Sequence, residues 1–148
     1  MSTWSHVCGC IRIDSFRFPE DEEKEIQKIK DTLGKTVDYN SEDWDTDLPL
    51  GSEGSLNYEV IVNPERSCLA AYTVPIWGDL RDYDNVSEIE EWFEKCCKTV
   101  GIIRSAVLQV EVGGYGSVCL SWDFENDAIK KVDLDKVTSN DRSKGKVH

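Results

Sequence analysis

Cys8-Gly-Cys10 carries two thiols one residue apart, with His6 two residues upstream and Arg12 two residues downstream. In an extended chain, side chains at i and i+2 share a face, so these four line up together. Thiols and an imidazole are soft metal ligands, and Cys119 in a later apolar segment completes four on paper. Structural zinc sites, however, place C-x₂₋₄-C on a knuckle and not C-x-C along a flat strand, so no metal is expected. A Cys8–His6 nucleophile pair would be roughly 6.5–7 Å apart by strand rise, which is long for a dyad. Cys96-Cys97 falls in a helical pattern, where adjacent residues diverge.

Carboxylates offer the other candidate chemistry. Thr36 to Glu65 holds eight acids (Asp38, Glu42, Asp43, Asp45, Asp47, Glu53, Glu59 and Glu65) and no Lys or Arg. Asp79 to Glu94 holds seven acids against Arg81 alone. Asp43-Trp-Asp-Thr-Asp47 opens like a calcium loop, but Leu48 stands where the glycine belongs and Gly54 where the bidentate Glu belongs. As an EF-hand it fails, and a solvated acidic loop is the expectation. Val112-Gly-Gly-Tyr-Gly116 leads into a strand and not a helix, so it reads as a hairpin and not a phosphate cradle. Neither a G-x-S-x-G elbow, a P-loop nor a dinucleotide fingerprint is present. These absences, with only two histidines, lead to the expectation of a non-catalytic protein without cofactor.

The formal net charge of −12 argues against direct binding of nucleic acid or of an anionic membrane, because phosphate contacts need Lys and Arg. No run approaches the roughly 20 apolar residues of a membrane span. The opening residues lack a signal peptide's charged and apolar regions, so a cytoplasmic location with reduced thiols is expected.

The elements that must position these residues follow from periodicity. Trp4–Asp14 alternates as a strand, with Val7, Ile11 and Ile13 on one face. Pro19 opens a helix to Leu33 with acids in its first turn and Gly34 as its stop. Residues 38–55 read as a long loop, 56–62 as a strand, and 69–77 as its antiparallel partner. Pro75 is placed at an edge or a bulge, since it cannot donate to the ladder. A loop over 78–84 precedes a helix over 86–98, where Ile89, Trp92, Phe93, Cys96 and Val100 make the strongest apolar stripe. Strands over 102–112 and 117–124 close the pattern.

The order β-α-β-β-α-β-β predicts an α+β, ferredoxin-like (βαββαβ) two-layer sandwich. It would carry an additional C-terminal strand, with two helices on one face of an antiparallel sheet. Residues 1–125 would form one acidic domain and 126–148 a basic, disordered tail. The expected function is that of an acidic stoichiometric inhibitor or adaptor that docks on a basic protein surface, such as that of a nucleic-acid-binding protein. In style and size it is similar to small phage- and mobile-element-encoded antagonists of defence nucleases, with no motif of a named family. Its contact residues would be Asp38, Glu42, Asp43, Trp44, Asp45, Asp47, Glu53, Trp77, Asp79, Asp82, Tyr83 and Asp84, with the aromatics as anchors. The alternative is a small-molecule module on the open sheet face, lined by His6, Cys8, Cys10 and Arg12, with Arg104 nearby. A metal-dependent enzyme ranks last.

Overall fold

Strict apolar–polar alternation in three long segments builds the centre of the molecule. The computed structural model describes residues 2–65, 69–114 and 116–134. Strand β1 (Trp4–Asp14) is the spine, with β6 (Ala70–Arg81) on one side and β7 (Ile102–Val112) on the other, both antiparallel. Beyond β7 come β8 (Gly116–Asp123) and β9 (Ala128–Asp133). On the far side of β6 lie two short pieces, β4 (Asn57–Tyr58) and β5 (Ile61–Val62). A separate two-stranded ladder joins β2 (Leu50–Gly51) to β3 (Gly54–Ser55).

One face of the sheet is buried. Val7, Ile11 and Ile13 of β1 join Tyr72, Val74, Ile76 and Leu80 of β6 and Leu108 and Val110 of β7 in a single apolar cluster. Helix α1 (Glu22–Leu33) adds Ile29 and Leu33, and helix α2 (Val86–Thr99) adds Ile89, Trp92, Phe93, Cys96 and Cys97. The start of α2 is fixed by Asn85, whose side chain accepts a hydrogen bond from the Glu88 N–H at 3.2 Å. The indole Nε1 of Trp92 donates to the Leu33 carbonyl at 3.1 Å, which ties α2 to the end of α1.

The ferredoxin-like sandwich is overturned by this architecture. Strand accounts for 43% of the described residues against 23% helix, and one sheet carries seven strands beside the two helices. Three local causes stand behind the difference. The segment 56–62 is not one strand, because its register places Glu59 opposite Pro75. Glu59 N–H donates to the Pro75 carbonyl at 3.2 Å, but proline has no N–H to return, so the ladder breaks there into β4 and β5. Pro75 therefore sits in an interior strand, with its missing donor turned to the interrupted outer one. Residues 50–55, read as loop, make the β2–β3 ladder. Residues 128–133, assigned to the tail, pair with β8 as β9, where Lys130 and Lys131 on an exposed edge mask the strand pattern. The remaining tail, 135–148, lies outside the described residues, as does Tyr115 of the predicted hairpin. Among the described residues, no helix is long and apolar enough to cross a membrane.

Candidate functional site

The β1–β6 register sets His6 opposite Asp79, Cys8 opposite Trp77, Cys10 opposite Pro75 and Arg12 opposite Thr73. These positions alternate with the core-facing residues, so all of them lie on the sheet's other face. The His6 Nδ1 and Asp79 Oδ1 atoms are 2.6 Å apart, and the Trp4 ring lies parallel to the imidazole. Two residue sets that the sequence suggests as alternatives, the thiol-rich face and the acidic surface, are thus cross-strand neighbours.

The acidic loop reaches this face because apolar anchors pull it in. Val37 and Leu48 are buried, and the chain around Val37 is clasped to Ser55 by reciprocal bonds: Val37 N–H to Ser55 Oγ and Ser55 N–H to the Val37 carbonyl, both 2.8 Å. The β2–β3 turn then packs on the end of β6, with Ser52 N–H donating to the Arg81 carbonyl at 2.9 Å. Gly51 is required there, since a Cβ would stand 2.8 Å from both N and O of Arg81. The result is a cleft of about 290 Å³ lined by Asp38, Glu53, Asn57, Trp77 and Asp79, among others. Trp77 is 44% exposed.

Arg81 Nη1 pairs with Glu53 at 2.8 Å, and Ser52 Oγ donates to Asp82 at 2.8 Å. The Ser52 hydroxyl is the main reason the Asp82 carboxyl sits below its usual range, with Arg81 adding to it. Asp82 therefore stays ionised at neutral pH beside this cleft.

No protein-family model, curated protein or solved structure matches this chain.

The other predicted contact residues divide. Asp45 and Asp47 line a different cleft of about 530 Å³ at the end of α1, together with Lys30 and Lys35. Asp43 is held below the usual carboxylate range, first by the Asp45 N–H and then by Lys35, whose Nζ is 3.0 Å away. That side of the loop is consequently mixed in charge. Trp44 donates its indole N–H to the Ser41 carbonyl at 2.8 Å and stays within its own loop, while Glu42 and Asp84 are simply exposed. Tyr83 is only 7% exposed and belongs to the core, so it is no surface anchor. The cause is Asp82, whose φ of 55° inverts the alternation and turns Tyr83 inward. Asp82 and Asp84 on either side disguise this in the sequence, and nothing there flags the Val37–Ser55 clasp or Ser52.

The described cysteines separate into two environments. Cys8 is exposed, Cys10 and Cys119 are half-buried, and Cys8 and Cys119 both pair with Gln109, from opposite sides. Among the described residues, no group of three or more His, Cys, Asp or Glu is placed to hold a metal ion. Cys96 and Cys97 are buried residues of α2, and desolvation pushes the Cys97 thiol up to about 12 and that of Cys96 up as well. Both stay protonated and unreactive at neutral pH. A disulfide-exchange reagent at about pH 8 should therefore modify Cys8 in the native protein, and Cys96 and Cys97 only after denaturant is added. Prompt native-state modification of either buried thiol would contradict this packing. Because the folded state favours the neutral thiols, their contribution is complete below the ordinary value of 9.0 and is lost as pH rises toward about 12.

Proposed function

We propose that this protein is a non-catalytic acidic binding module, a stoichiometric inhibitor or adaptor. It docks on a basic surface of another protein, such as one that handles nucleic acid, through the cleft bounded by Asp38, Glu53, Trp77 and Asp79. The observation that carries this reading is the convergence of three carboxylates (Asp38, Glu53 with Arg81 beside it, and Asp79 with His6 beside it) on a half-exposed tryptophan at one cleft. Carboxylates at the rim steer a basic partner and set the rate of encounter. A tryptophan at the centre supplies the desolvated anchor that charge alone does not. The net charge of −12 extends the steering over the whole molecule.

Charge reversal tests the reading. Asp38→Lys with Asp79→Lys should weaken capture of the protein partner from the source cell on the order of 10- to 100-fold at low salt. Wild-type capture should itself fall steeply as salt rises. Asp43→Lys, Asp45→Lys and Asp47→Lys, on the mixed-charge side, should have the smaller effect. If the second set abolishes capture and the first leaves it intact, the cleft is the wrong surface. The alternative of a small ligand on the open face, lined by His6, Cys8, Cys10 and Arg12, is favoured by one observation. Asp79 at Nδ1 orients the His6 ring so that Nε2 is the nitrogen presented to a ligand. Binding there would be nearly insensitive to salt.

A further inference from the structure

A second surface lies at the other end of β1, where the chain turns into α1. Phe16 and Phe18 are 74% and 56% exposed, and Ile102 across the gap is 64% exposed. Single exposed apolar residues are ordinary, but three large ones around one hollow mark a contact surface. The hollow is a groove of about 310 Å³ with Ile13, Ile29 and Tyr72 among its lining residues.

The loop that displays the rings is held firmly. Arg17 has a φ of 59°, a left-handed conformation that costs a branched or long side chain energy and persists only where neighbours impose it. Here its N–H donates to Ser15 Oγ at 3.0 Å, and its guanidinium reaches the backbone carbonyls of Asn63 and Glu65. Ser15 N–H donates to the Leu69 carbonyl at 2.9 Å. Arg17 thereby braces the loop against the β5–β6 connection while the residues on either side of it stay outside.

Charge decides what the groove can take. Its charged lining is acidic: Asp14, Asp21 and Glu25, without a lysine or arginine. Arg104 takes up Asp14 at 2.9 Å, which leaves Asp21 and Glu25 as the lining carboxylates not paired to it. Glu25 Oε1 accepts from Ser15 Oγ at 2.9 Å and from the Tyr72 hydroxyl at 3.0 Å, so the carboxylate is fixed in place. An anion would be repelled. A neutral apolar ligand would strip water from two carboxylates and return nothing to them. A cation on an aliphatic stem satisfies both walls, with the stem and charge over aromatic rings and the charge near the acids. A free amine small enough for the groove would leave the three rim side chains uncovered. Covering them takes apolar chain on both sides of the cation.

We propose that this groove seats a basic side chain presented by an apolar peptide segment of a partner protein. It lies about 26 Å along β1 from the cleft at Asp79, taking eight residues at strand rise, and the inference does not depend on that cleft's role.

The test uses the full chain, labelled with ¹⁵N, and the capped peptide Ala-Leu-Lys-Leu-Ala as probe. The peptide should move the amide signals of residues 15–18 and of Ile102 saturably. Placing Glu at the central position should weaken binding about tenfold or more. Phe18→Ala and Asp21→Asn should each weaken it by about three- to tenfold while leaving the remaining spectrum unchanged. Phe18 is exposed, and Asp21 makes no side-chain capping bond, so neither change threatens the fold. Equal binding of the Glu peptide, shifts centred on the Asp38–Asp79 cleft, or the lack of a saturable shift would overturn the proposal. Hexylammonium binding as tightly as the peptide would overturn the protein segment as occupant.

Discussion

Replacing Phe93 by Ala is expected to lower the unfolding free energy by about 3–5 kcal/mol, the range for deleting a buried aromatic ring. Phe93 is fully buried, and its neighbours in the stripe, Ile89, Trp92 and Cys96, are buried with it. The helix cannot close the hole by sliding, because Asn85 fixes its start and the Trp92–Leu33 bond fixes its approach to α1. Urea denaturation of the two proteins measures the difference, with Glu91→Ala on the exposed side of α2 as a control within about 0.5 kcal/mol. A loss below about 1 kcal/mol for Phe93→Ala would mean that α2 does not pack as described.

Gly9→Ala, a change of one methyl group, is expected to cost about 3 kcal/mol or more, at the upper end for overpacking. Gly9 lies in the central strand, paired with Ile76 on one side and Leu108 on the other. A Cβ there would stand 2.7 Å from Leu108 Cα and 2.8 Å from its Cδ1, and would overlap the Val107 carbonyl. Those are largely backbone atoms of β7, which cannot rotate aside as a side chain would. Relief requires β7 to move off β1, at the expense of ladder hydrogen bonds. The same denaturation series reads the outcome, and an Ala variant within about 1 kcal/mol of wild type would show that the strands approach less closely than this.

Much of the frame is legible in the sequence. β1 and β7 occupy the predicted spans 4–14 and 102–112, and α2 runs one residue past the predicted 86–98. In each of these, a single periodicity persists for three turns or five pleats, and burial follows it. Legibility fails where a short element is decided by what it meets. The β4–β5 break depends on Pro75 across the sheet, and β9 on the edge left by β8. β6 continues to Arg81, past Gly78, where a loop is predicted, because β1 offers partners as far as Trp4. The candidate site is legible in composition but not in arrangement. Fifteen acids in two segments mark a charged surface. Only the register shows that Asp79 joins His6 and Asp38, while Asp43 turns to Lys35 on another side.

The position of β1 bears on how the chain can be made. This interior strand leaves the ribosome before either of the strands it pairs with, yet Trp4 pairs with Arg81 and Ser5 with Val112. Until residue 81 has emerged both edges of β1 lack their native partners, and until residue 112 has emerged one of them still does. At about 5–20 residues per second, that is a wait of several seconds. The nascent chain spends it with that edge open, while its acidic segments, arriving in between, add like charge that opposes association between neighbouring chains.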